Sequence, residues 1–406
     1  MEEDRFTIPS LDKQELNKKL DDVIYPREYE NNVGWRYGAP RWAVEDLVEA
    51  WKVFDWNKPA EEMDRWNHYK SNIDGIGIHY VHEVSSQENP IPIILLHGWP
   101  STFYEFHKVI EPLRDGKNLK QAFHVVVPSL PGYGFSDSPK KPGCSVVQIA
   151  ELFHHLMLKL GYEKYIVHGT DWGSTIGKVM ALKYTENCMG FHTNMPIIAP
   201  PFPTLSNILS HPLQVLLFLL AIILGFKTVY KNQEVQIFRD FANADEDEKG
   251  GYRAIQGTRP YTLAYGLSDS PVGLLGWMLD CYHVWTYHTP GKTDTNSLPE
   301  SITIDEFLTQ ISIYWITNTM SSSTRLYYEF KQEMSKVGKM LLIGIKVPYG
   351  VSTFPNELTR FPREWFPVTN NLVQYREHPQ GGHFPALEVP EILLDDIQAF
   401  GKKITK

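Results

Sequence analysis

The sequence predicts an α/β fold in which a mostly parallel central sheet carries a helical lid and a helical arm at its amino end. Buried-strand patterns occur at 91–96 and 123–128, and a strand, a tight turn and a helix follow one another over 165–184. From 196 to about 330 the pattern is helical and aromatic, without strands. Strands that alternate with helices favour parallel pairing, and one large helical insertion favours a lid over the sheet.

The individual elements follow from hydrophobic periodicity. An aromatic arm at 1–72 is expected to wrap the core, and a mostly helical lid at 196–330 divides that core into segments 73–195 and 331–406. The predicted helices are 9–20, 43–53, 146–160, 174–184 and 392–400, and the predicted strands besides the one at the turn are 76–82, 91–96, 123–128, 190–195, 339–347 and 372–375.

Composition limits the classes of function. The chain of 406 residues is long enough for a sizeable core, and its net charge of −9 without a basic stripe argues against a nucleic-acid partner. Cys144, Cys188 and Cys281 are odd in number and widely spaced, which predicts neither a disulfide framework nor a metal site. This cysteine usage fits a reducing compartment.

The chain is organised around the stretch 165–174 (YIVHGTDWGS), in which a β-branched run enters a turn and a helical pattern leaves it. Asp171 lies at the centre of the turn, between Gly169 and Gly173. Small flanking residues suit a sharply turned backbone that lifts one side chain above the end of a sheet, as in a nucleophile elbow. A carboxylate attacks carbon without first losing a proton and gives an ester that water must hydrolyse. The alternative is an ordinary turn in which Asp171 caps the helix.

Two further loops follow predicted strands and therefore reach the same edge of the sheet. At 97–100 (HGWP) a glycine and a proline predict a tight turn, with a proline bond that can be cis, and this turn directs the Trp99 N–H into the site. His97 is interpreted as a structural histidine. At 381–384 (GGHF) two glycines precede His383, which is predicted to deprotonate water.

The acid that orients the histidine is expected in the loop after the preceding strand. Glu357 follows the predicted strand at 339–347, whereas the competitors Glu377 and Glu388 lie elsewhere. With Glu357 the chain order is nucleophile, acid, histidine, which is the order expected for this fold. Glu357 would hold one imidazole nitrogen so that the other can take a proton from water.

Taken together, these stretches resemble the microsomal epoxide hydrolase family of α/β-hydrolases over essentially the whole chain. The aromatic arm is also similar to that family's extension. The resemblance implies an α/β-hydrolase fold and hydrolysis of an apolar epoxide by water to a vicinal diol, without a metal or an organic cofactor. The matching stretches are 97–100, 103–106 (FYEF), 169–174 (GTDWGS), 269–274 (DSPVGL), 354–357 (FPNE) and 382–384 (GHF).

The resemblance also implies roles for individual residues. Asp171 would be the nucleophile that forms a covalent ester, and His383 with Glu357 would activate the water that hydrolyses it. The backbone N–H groups of Trp99 and Trp172 would form the oxyanion hole for the charge that develops on the Asp171 carboxyl.

Two tyrosines of the lid are implied to hold the epoxide oxygen, because ring opening leaves an alkoxide to which a phenol can donate. The chain has 21 tyrosines, so composition cannot select the pair. Matching to the family selects Tyr252 and Tyr327. Tyr261 and Tyr328 are the nearest alternatives.

The predicted location is cytoplasmic, since the first residues are acidic and lack the apolar core of a signal peptide. Animal members of the family often begin with an apolar anchor that this sequence does not show. The very apolar stretch 213–226 is shorter than the ~20 residues of a spanning helix and is interpreted as a buried or lid helix. Peripheral membrane contact through 213–226 and a homodimer remain open alternatives.

Two other functions remain open from the sequence. A haloalkane dehalogenase also uses an aspartate followed by tryptophan, but it needs donors for a halide rather than a pair of phenols. A lidded carrier of an apolar ligand would use the same fold without turnover. A serine esterase is disfavoured, because Ser174 lies three residues after Asp171 and inside the predicted helix.

Overall fold

The computed structural model describes residues 4–30, 33–116, 120–230 and 250–405. Within these residues the chain forms one eight-stranded sheet. Its strands are β1 (His68–Ile73), β2 (Ile76–Glu83), β3 (Ile91–Leu96), β4 (Phe123–Pro128), β5 (Tyr165–Gly169), β6 (Cys188–Thr193), β7 (Tyr349–Thr353) and β8 (Leu372–Glu377).

The strand order is β1-β2-β4-β3-β5-β6-β7-β8. The pairs β1–β2 and β2–β4 are antiparallel, and each later pair from β4–β3 to β7–β8 is parallel. The predicted α/β architecture with a mostly parallel sheet is therefore confirmed. Because β5 lies near the centre, the turn that follows it opens at the middle of the sheet's carboxyl edge, where ligands of such sheets bind.

Helices α1 to α3 precede the sheet in the chain, and later helices pack against it. Two pairs pack on it: α5 contacts α6, and α4 contacts the last helix, α18. The helices are α1 (Lys13–Asp21), α2 (Arg41–Val53), α3 (Asn57–Met63), α4 (Ile110–Asp115), α5 (Val146–Lys159), α6 (Asp171–Lys183), α7 (Leu205–Ser210), α8 (Pro212–Leu224), α9 (Phe226–Val229), α10 (Gly251–Gln256), α11 (Pro260–Asp269), α12 (Pro271–Trp285), α13 (Ile304–Thr317), α14 (Met320–Ser323), α15 (Arg325–Leu341), α16 (Phe366–Thr369), α17 (Pro385–Glu388) and α18 (Pro390–Ile404).

The sequences of the central strands are continuous apolar runs because helices cover both faces of the sheet. All five residues of β5 are buried, and so are five of the six residues of β3. Parallel strands covered on both faces lose the alternation of polar and apolar residues that marks a half-exposed strand. The predicted strands at 91–96 and 123–128 coincide with β3 and β4.

The predicted strand at 339–347 is wrong. Helix α15 continues to Leu341, and the strand β7 begins only at Tyr349. Val337 and Leu341 form the buried side of the amphipathic helix, and Ile345 is buried in the turn that follows. A short apolar run does not separate a helix end from a buried strand, and here the run spans the helix end and the turn. The predicted lid boundary at 330/331 falls inside α15.

The amino-terminal arm contains α1, α2 and α3 but also reaches the sheet. The prediction of a mainly helical segment up to about 70 missed β1, which begins at His68 and pairs with β2. The aromatic residues of the arm contact lid helices. Trp51 is buried and donates from Nε1 to Ser312 Oγ at 3.0 Å, and the Trp35 ring stacks on His283 at 3.4 Å between centroids.

The apolar stretch 213–226 forms most of α8 and the start of α9. One side of α8 is buried through Val215, Phe218 and Ala221, while its other side exposes large apolar side chains. Among the described residues, none of the helices combines the length and the hydropathy that crossing a bilayer requires. The exposed apolar side chains of α8 are Leu213, Leu216, Leu219, Ile222, Ile223 and Leu224.

Candidate active site

The turn after β5 has the geometry of a nucleophile elbow. Asp171 adopts a φ of +43°, a left-handed conformation that a residue with a side chain rarely takes. The flanking glycines allow close approach of the backbone: a Cβ at Gly169 would lie 2.2 Å from the Gly173 carbonyl oxygen, and a Cβ at Gly173 would lie 2.0 Å from that of Leu96. The elbow therefore requires glycine on both sides and presents the Asp171 carboxylate at the sheet edge, beside the amino end of α6.

The loop after β3 supplies a hydrogen bond to this carboxylate. The Trp99 N–H donates to Asp171 Oδ1 at 2.7 Å, and the bond between Trp99 and Pro100 is cis. Gly98 lies so close that a Cβ there would meet Oδ1 at 2.0 Å. Trp172 is the second residue of α6, and an N–H in the first turn of a helix has no acceptor within that helix. Two backbone donors therefore lie next to Asp171.

His383 reaches the elbow from the loop after β8. Its Nδ1 lies 2.7 Å from Glu357 Oε1, and its Nε2 lies 3.4 Å from Asp171 Oδ2. The imidazole is fully buried, and Nε2 forms no hydrogen bond with any part of the chain that the structure describes. Glu377 is exposed and Glu388 binds backbone N–H groups, so Glu357 is the carboxylate that contacts His383.

The charges around His383 determine its protonation. Burial alone would lower the pKa of the imidazole, but the charge of Glu357, the contact with the Asp171 carboxylate and the hydrogen bond with Glu357 outweigh burial and raise that pKa well above its usual range. Burial raises the pKa of the Glu357 carboxyl, and the charge of His383 opposes that shift. The two carboxylates next to His383 therefore favour its protonated form.

Asn194 is a site residue that the sequence reasoning missed. It follows β6 directly, at the carboxyl edge of the sheet. Its Nδ2 donates to Glu357 Oε2 at 2.5 Å and to the His383 carbonyl oxygen at 3.3 Å. Leu358 donates its backbone N–H to Glu357 Oε1 at 2.6 Å. The position of Asn194 after a buried strand was the available signal, because side chains at such positions point into the site.

Tyr252 and Tyr327 come from different lid helices, α10 and α15, and meet above the elbow. The Tyr252 ring stacks on Trp99 at 5.4 Å, and the Tyr327 ring lies 5.8 Å from both Trp99 and Tyr252. Burial raises the pKa of both phenols well above their usual range, and the negative charge of Asp171 adds to this shift. Both phenols therefore carry their protons at neutral pH. The alternatives Tyr261 on α11 and Tyr328 on α15 are both exposed.

Aromatic rings enclose the space above Asp171. Trp172 contacts Tyr327 at 4.8 Å and Phe330 at 5.0 Å between ring centroids. Trp285 at the end of α12 contacts the Tyr252 ring at 5.0 Å and His383 at 5.2 Å. His97 is fully buried and accepts the Leu130 N–H at 3.1 Å, so it holds a loop. The aromatic rings around Asp171 therefore lie next to the carboxylates of Asp171 and Glu357, the imidazole of His383 and the two phenols.

The sheet order and the elbow place the chain among the α/β-hydrolases, and a sequence profile of the α/β hydrolase fold matches residues 91–236. A second profile, described as the epoxide hydrolase N terminus, matches residues 1–106. The chain is 34% identical to pig epoxide hydrolase 1 over 411 residues, which is 97% of this chain and 87% of the relative. The chain therefore belongs to the epoxide hydrolase family, and it is an epoxide hydrolase.

Solved structures agree with this assignment. Juvenile hormone epoxide hydrolase from the silkworm Bombyx mori superimposes with a TM-score of 0.86 and 28% identity, covering 99% of this chain and 94% of that chain. The epoxide hydrolase of Aspergillus niger superimposes with a TM-score of 0.79 and 29% identity, covering 99% and 96%. The similarity extends over the arm, the sheet and the lid together.

Proposed function

We propose that the enzyme converts an apolar epoxide to a vicinal diol through a covalent ester on Asp171. The observation that carries the proposal is the different surroundings of the two carboxylate oxygens. Asp171 Oδ1 accepts the Trp99 N–H at 2.7 Å, whereas Oδ2 faces His383 Nε2 at 3.4 Å. Oδ2 is the oxygen with free lone pairs for attack, and Oδ1 becomes the carbonyl oxygen of the ester.

In the first step Asp171 Oδ2 bonds to one carbon of the epoxide ring, and the bond between that carbon and the ring oxygen breaks. The oxygen takes a proton from Tyr252 or Tyr327. Both phenols are neutral donors above the elbow. A hydrogen bond from a phenol stabilises the ring oxygen more strongly in the transition state, where negative charge develops on that oxygen, than in the neutral epoxide. The phenols therefore lower the barrier to ring opening.

Formation of the ester changes the charge next to His383. The ester carries no charge, so one of the two carboxylates that raise the pKa of the imidazole is lost. The pKa of His383 then falls, and the released proton returns the tyrosinate to a phenol. His383 becomes a neutral base at the step that needs one, still held at Nδ1 by Glu357.

In the second step His383 Nε2 takes a proton from water while the water oxygen bonds to Cγ of Asp171. The Trp99 and Trp172 N–H groups stabilise the oxyanion that develops on Oδ1. The ester C–O bond breaks, and the leaving alkoxide takes the proton from His383. The new carboxylic acid gives its proton to His383, so that the resting charges and both phenols are restored.

An apolar substrate fits the enclosure. The Trp172 ring contacts Tyr327 and Phe330, the Trp285 ring contacts His383, and none of the four aromatic side chains carries a charge. Apolar surface is removed from water when the substrate enters, which favours binding by about 25 cal/mol per Å². Diol product carries two hydroxyls that this surface cannot satisfy, which favours its release.

The activity and the nucleophile are tested together by diol formation from a panel of aryl and alkyl epoxides. Wild type should give diols, and a folded Asp171→Ala should give none. The matched control is Asp294→Ala, which removes an exposed carboxylate from a lid turn and should keep full turnover. Equal turnover by wild type and Asp171→Ala would reject the ester mechanism.

The phenol pair distinguishes epoxide hydrolysis from the haloalkane reaction. The double variant Tyr252→Phe/Tyr327→Phe should lose roughly 100-fold or more of its epoxide turnover, because no proton reaches the alkoxide. Tyr265→Phe removes an exposed hydroxyl on α11 and serves as the control. Retained epoxide turnover in the double variant would exclude these two tyrosines as the donors.

A further inference from the structure

Glu388 is a buried carboxylate that the proposed chemistry does not use. It ends α17, five residues after His383, and only 7% of its surface is exposed. No lysine or arginine contacts it among the described residues. Its partners are backbone N–H groups: Oε1 accepts from Phe384 at 3.0 Å and Oε2 accepts from Tyr287 at 2.8 Å. The two oxygens therefore hold two different segments of the chain.

One of these segments is the loop of His383. Phe384 follows His383, and the N–H of Gly382 on its other side also faces the Glu388 carboxylate. A Cβ at Gly382 would lie 3.0 Å from Glu388 Oε1, so the loop and the carboxylate are in close contact. Both neighbours of His383 are thereby fixed by a single side chain.

The other segment is the end of lid helix α12. Tyr287, which donates to Glu388, lies two residues beyond Trp285. The Trp285 carbonyl oxygen accepts the His383 N–H at 2.9 Å, and the Trp285 ring contacts the His383 ring. Asn356, next to Glu357, donates from Nδ2 to the Thr286 carbonyl oxygen at 2.7 Å. The lid segment 285–287 is therefore tied to both catalytic loops.

We propose that Glu388 is a positioning residue that clamps the His383 loop to lid segment 285–287 and so places His383 for hydrolysis of the ester. The inference rests on the two-step reaction proposed above. The chemistry of the side chain supports it, because only a carboxylate offers an acceptor at both of its terminal atoms. Burial raises the pKa of Glu388 to about 7, and the backbone donors oppose that shift.

A glutamine at this position has one acceptor oxygen and one donor NH₂ group. In Glu388→Gln one backbone N–H, at Phe384 or at Tyr287, must face the NH₂ group and lose its partner. The His383 loop then shifts relative to the lid. Asp171 and its Trp99 hydrogen bond belong to other loops, so attack on the epoxide is not affected.

The test separates the two half-reactions by rapid mixing with an epoxide, following ester formation and decay through tryptophan fluorescence and intact mass. Glu388→Gln should form the ester at a rate within about threefold of wild type, because the attacking group is unchanged. Ester decay should slow roughly 10- to 100-fold, the cost of a small misplacement of a catalytic group. The ester then accumulates, and kcat and KM fall together.

The control is Glu377→Gln, which makes the same chemical change at an exposed carboxylate on β8 and should alter neither rate. Glu388→Asp keeps two acceptor oxygens, so its ester should decay faster than the ester of Glu388→Gln. Glu388→Asp is also the variant to measure if Glu388→Gln does not fold. Equal slowing of both half-reactions, or unchanged ester decay, would overturn the positioning role. Absence of any ester in wild type would instead reject the two-step reaction itself.

Discussion

Two histidine clusters in this molecule contain similar side chains in different arrangements. At the carboxyl edge of the sheet His383 lies between two carboxylates, one 2.7 Å from Nδ1 and the other 3.4 Å from Nε2. Between the sheet and α18, His192 meets the hydroxyl of Ser352 at 3.2 Å, and Asp396 lies on the far side of that serine. In the first cluster the histidine lies between two carboxylates, and in the second cluster the serine lies between a histidine and a carboxylate.

The second cluster has the residue types of a serine hydrolase but not its geometry. His192, Ser352 and Asp396 are all buried, so no substrate reaches them. Burial lowers the pKa of His192 to about 4, and the charge of Asp396 behind the serine offsets this only in part. The pKa of His383, which is equally buried, is raised. Direct contact with carboxylates, rather than burial, decides whether a buried histidine holds a proton at neutral pH.

The largest difference is expected between the two histidines themselves. His383→Gln should lose roughly 10²- to 10⁴-fold of its turnover, since the general base is removed, while Asp171 still forms the ester. His192→Gln should keep its turnover. Intact mass spectrometry after addition of an epoxide should therefore show a stable adduct in His383→Gln alone. A similar loss of turnover in both variants would remove the functional distinction between the clusters.

The carboxylates should differ in the same way. Glu357→Gln should slow ester hydrolysis by roughly 10- to 100-fold, because His383 loses the charge that makes it basic. Asp396→Asn should leave turnover unchanged but lower the free energy of unfolding by about 1–3 kcal/mol, since Asp396 is buried and accepts from Arg376 at 2.7 Å. Turnover and urea unfolding of both variants provide the measurement; an activity loss confined to Asp396→Asn would reverse the assignment.

The two clusters should respond to pH in opposite directions. Folding depresses the pKa of His192 from 6.5 to about 4, so its contribution to stability is present above 6.5 and is lost as the pH falls toward 4. Folding raises the pKa of His383, so the contribution of His383 to stability is present below about pH 6.5. That contribution is lost as the pH rises through the pKa of the folded state.

Urea unfolding between pH 4 and 7 measures the first of these effects. In His192→Gln the free energy of unfolding should fall less steeply over this range than in wild type, by up to one bound proton, or about 1.4 kcal/mol per pH unit. Identical slopes in wild type and His192→Gln would show that His192 is not held neutral by burial.

The smallest effect is expected for the serine. Ser352→Ala should change epoxide turnover by less than about twofold and lower the free energy of unfolding by about 1.5 kcal/mol, because the Ser352 hydroxyl donates to the Asp396 carboxylate. Steady-state diol formation with a thermal melt measures both. Loss of turnover in a folded Ser352→Ala would make this serine part of the reaction, contrary to its burial.

The elements that the sequence predicted well are those whose signals are local. Strands β3 and β4 are apolar runs bounded by turn residues, and the elbow at 165–174 combines a buried strand with two obligatory glycines. The strand predicted at 339–347 failed because its apolar residues serve a helix end and a turn. Strand β1 was missed because it is an edge strand that pairs with β2 on one side, so it is partly exposed and its hydrophobic pattern is weak.

The site was only partly accessible from residues alone. Asp171 and His383 follow from glycine-rich turns after predicted strands, but Tyr252 and Tyr327 come from helices whose packing over the sheet no local pattern encodes. Their selection depended on resemblance to a family. Asn194 was missed because an asparagine after a strand is chemically unremarkable until its contact with Glu357 is seen.

A single turnover in heavy-oxygen water, with enzyme in excess over epoxide, tests the ester on Asp171 most directly. Water attacks Cγ of Asp171 in the proposed second step, so the first diol formed should contain no heavy oxygen. The peptide that carries Asp171 should gain one heavy oxygen. Heavy oxygen in the first diol, with none in Asp171, would show that water attacks the epoxide directly and would contradict the covalent mechanism.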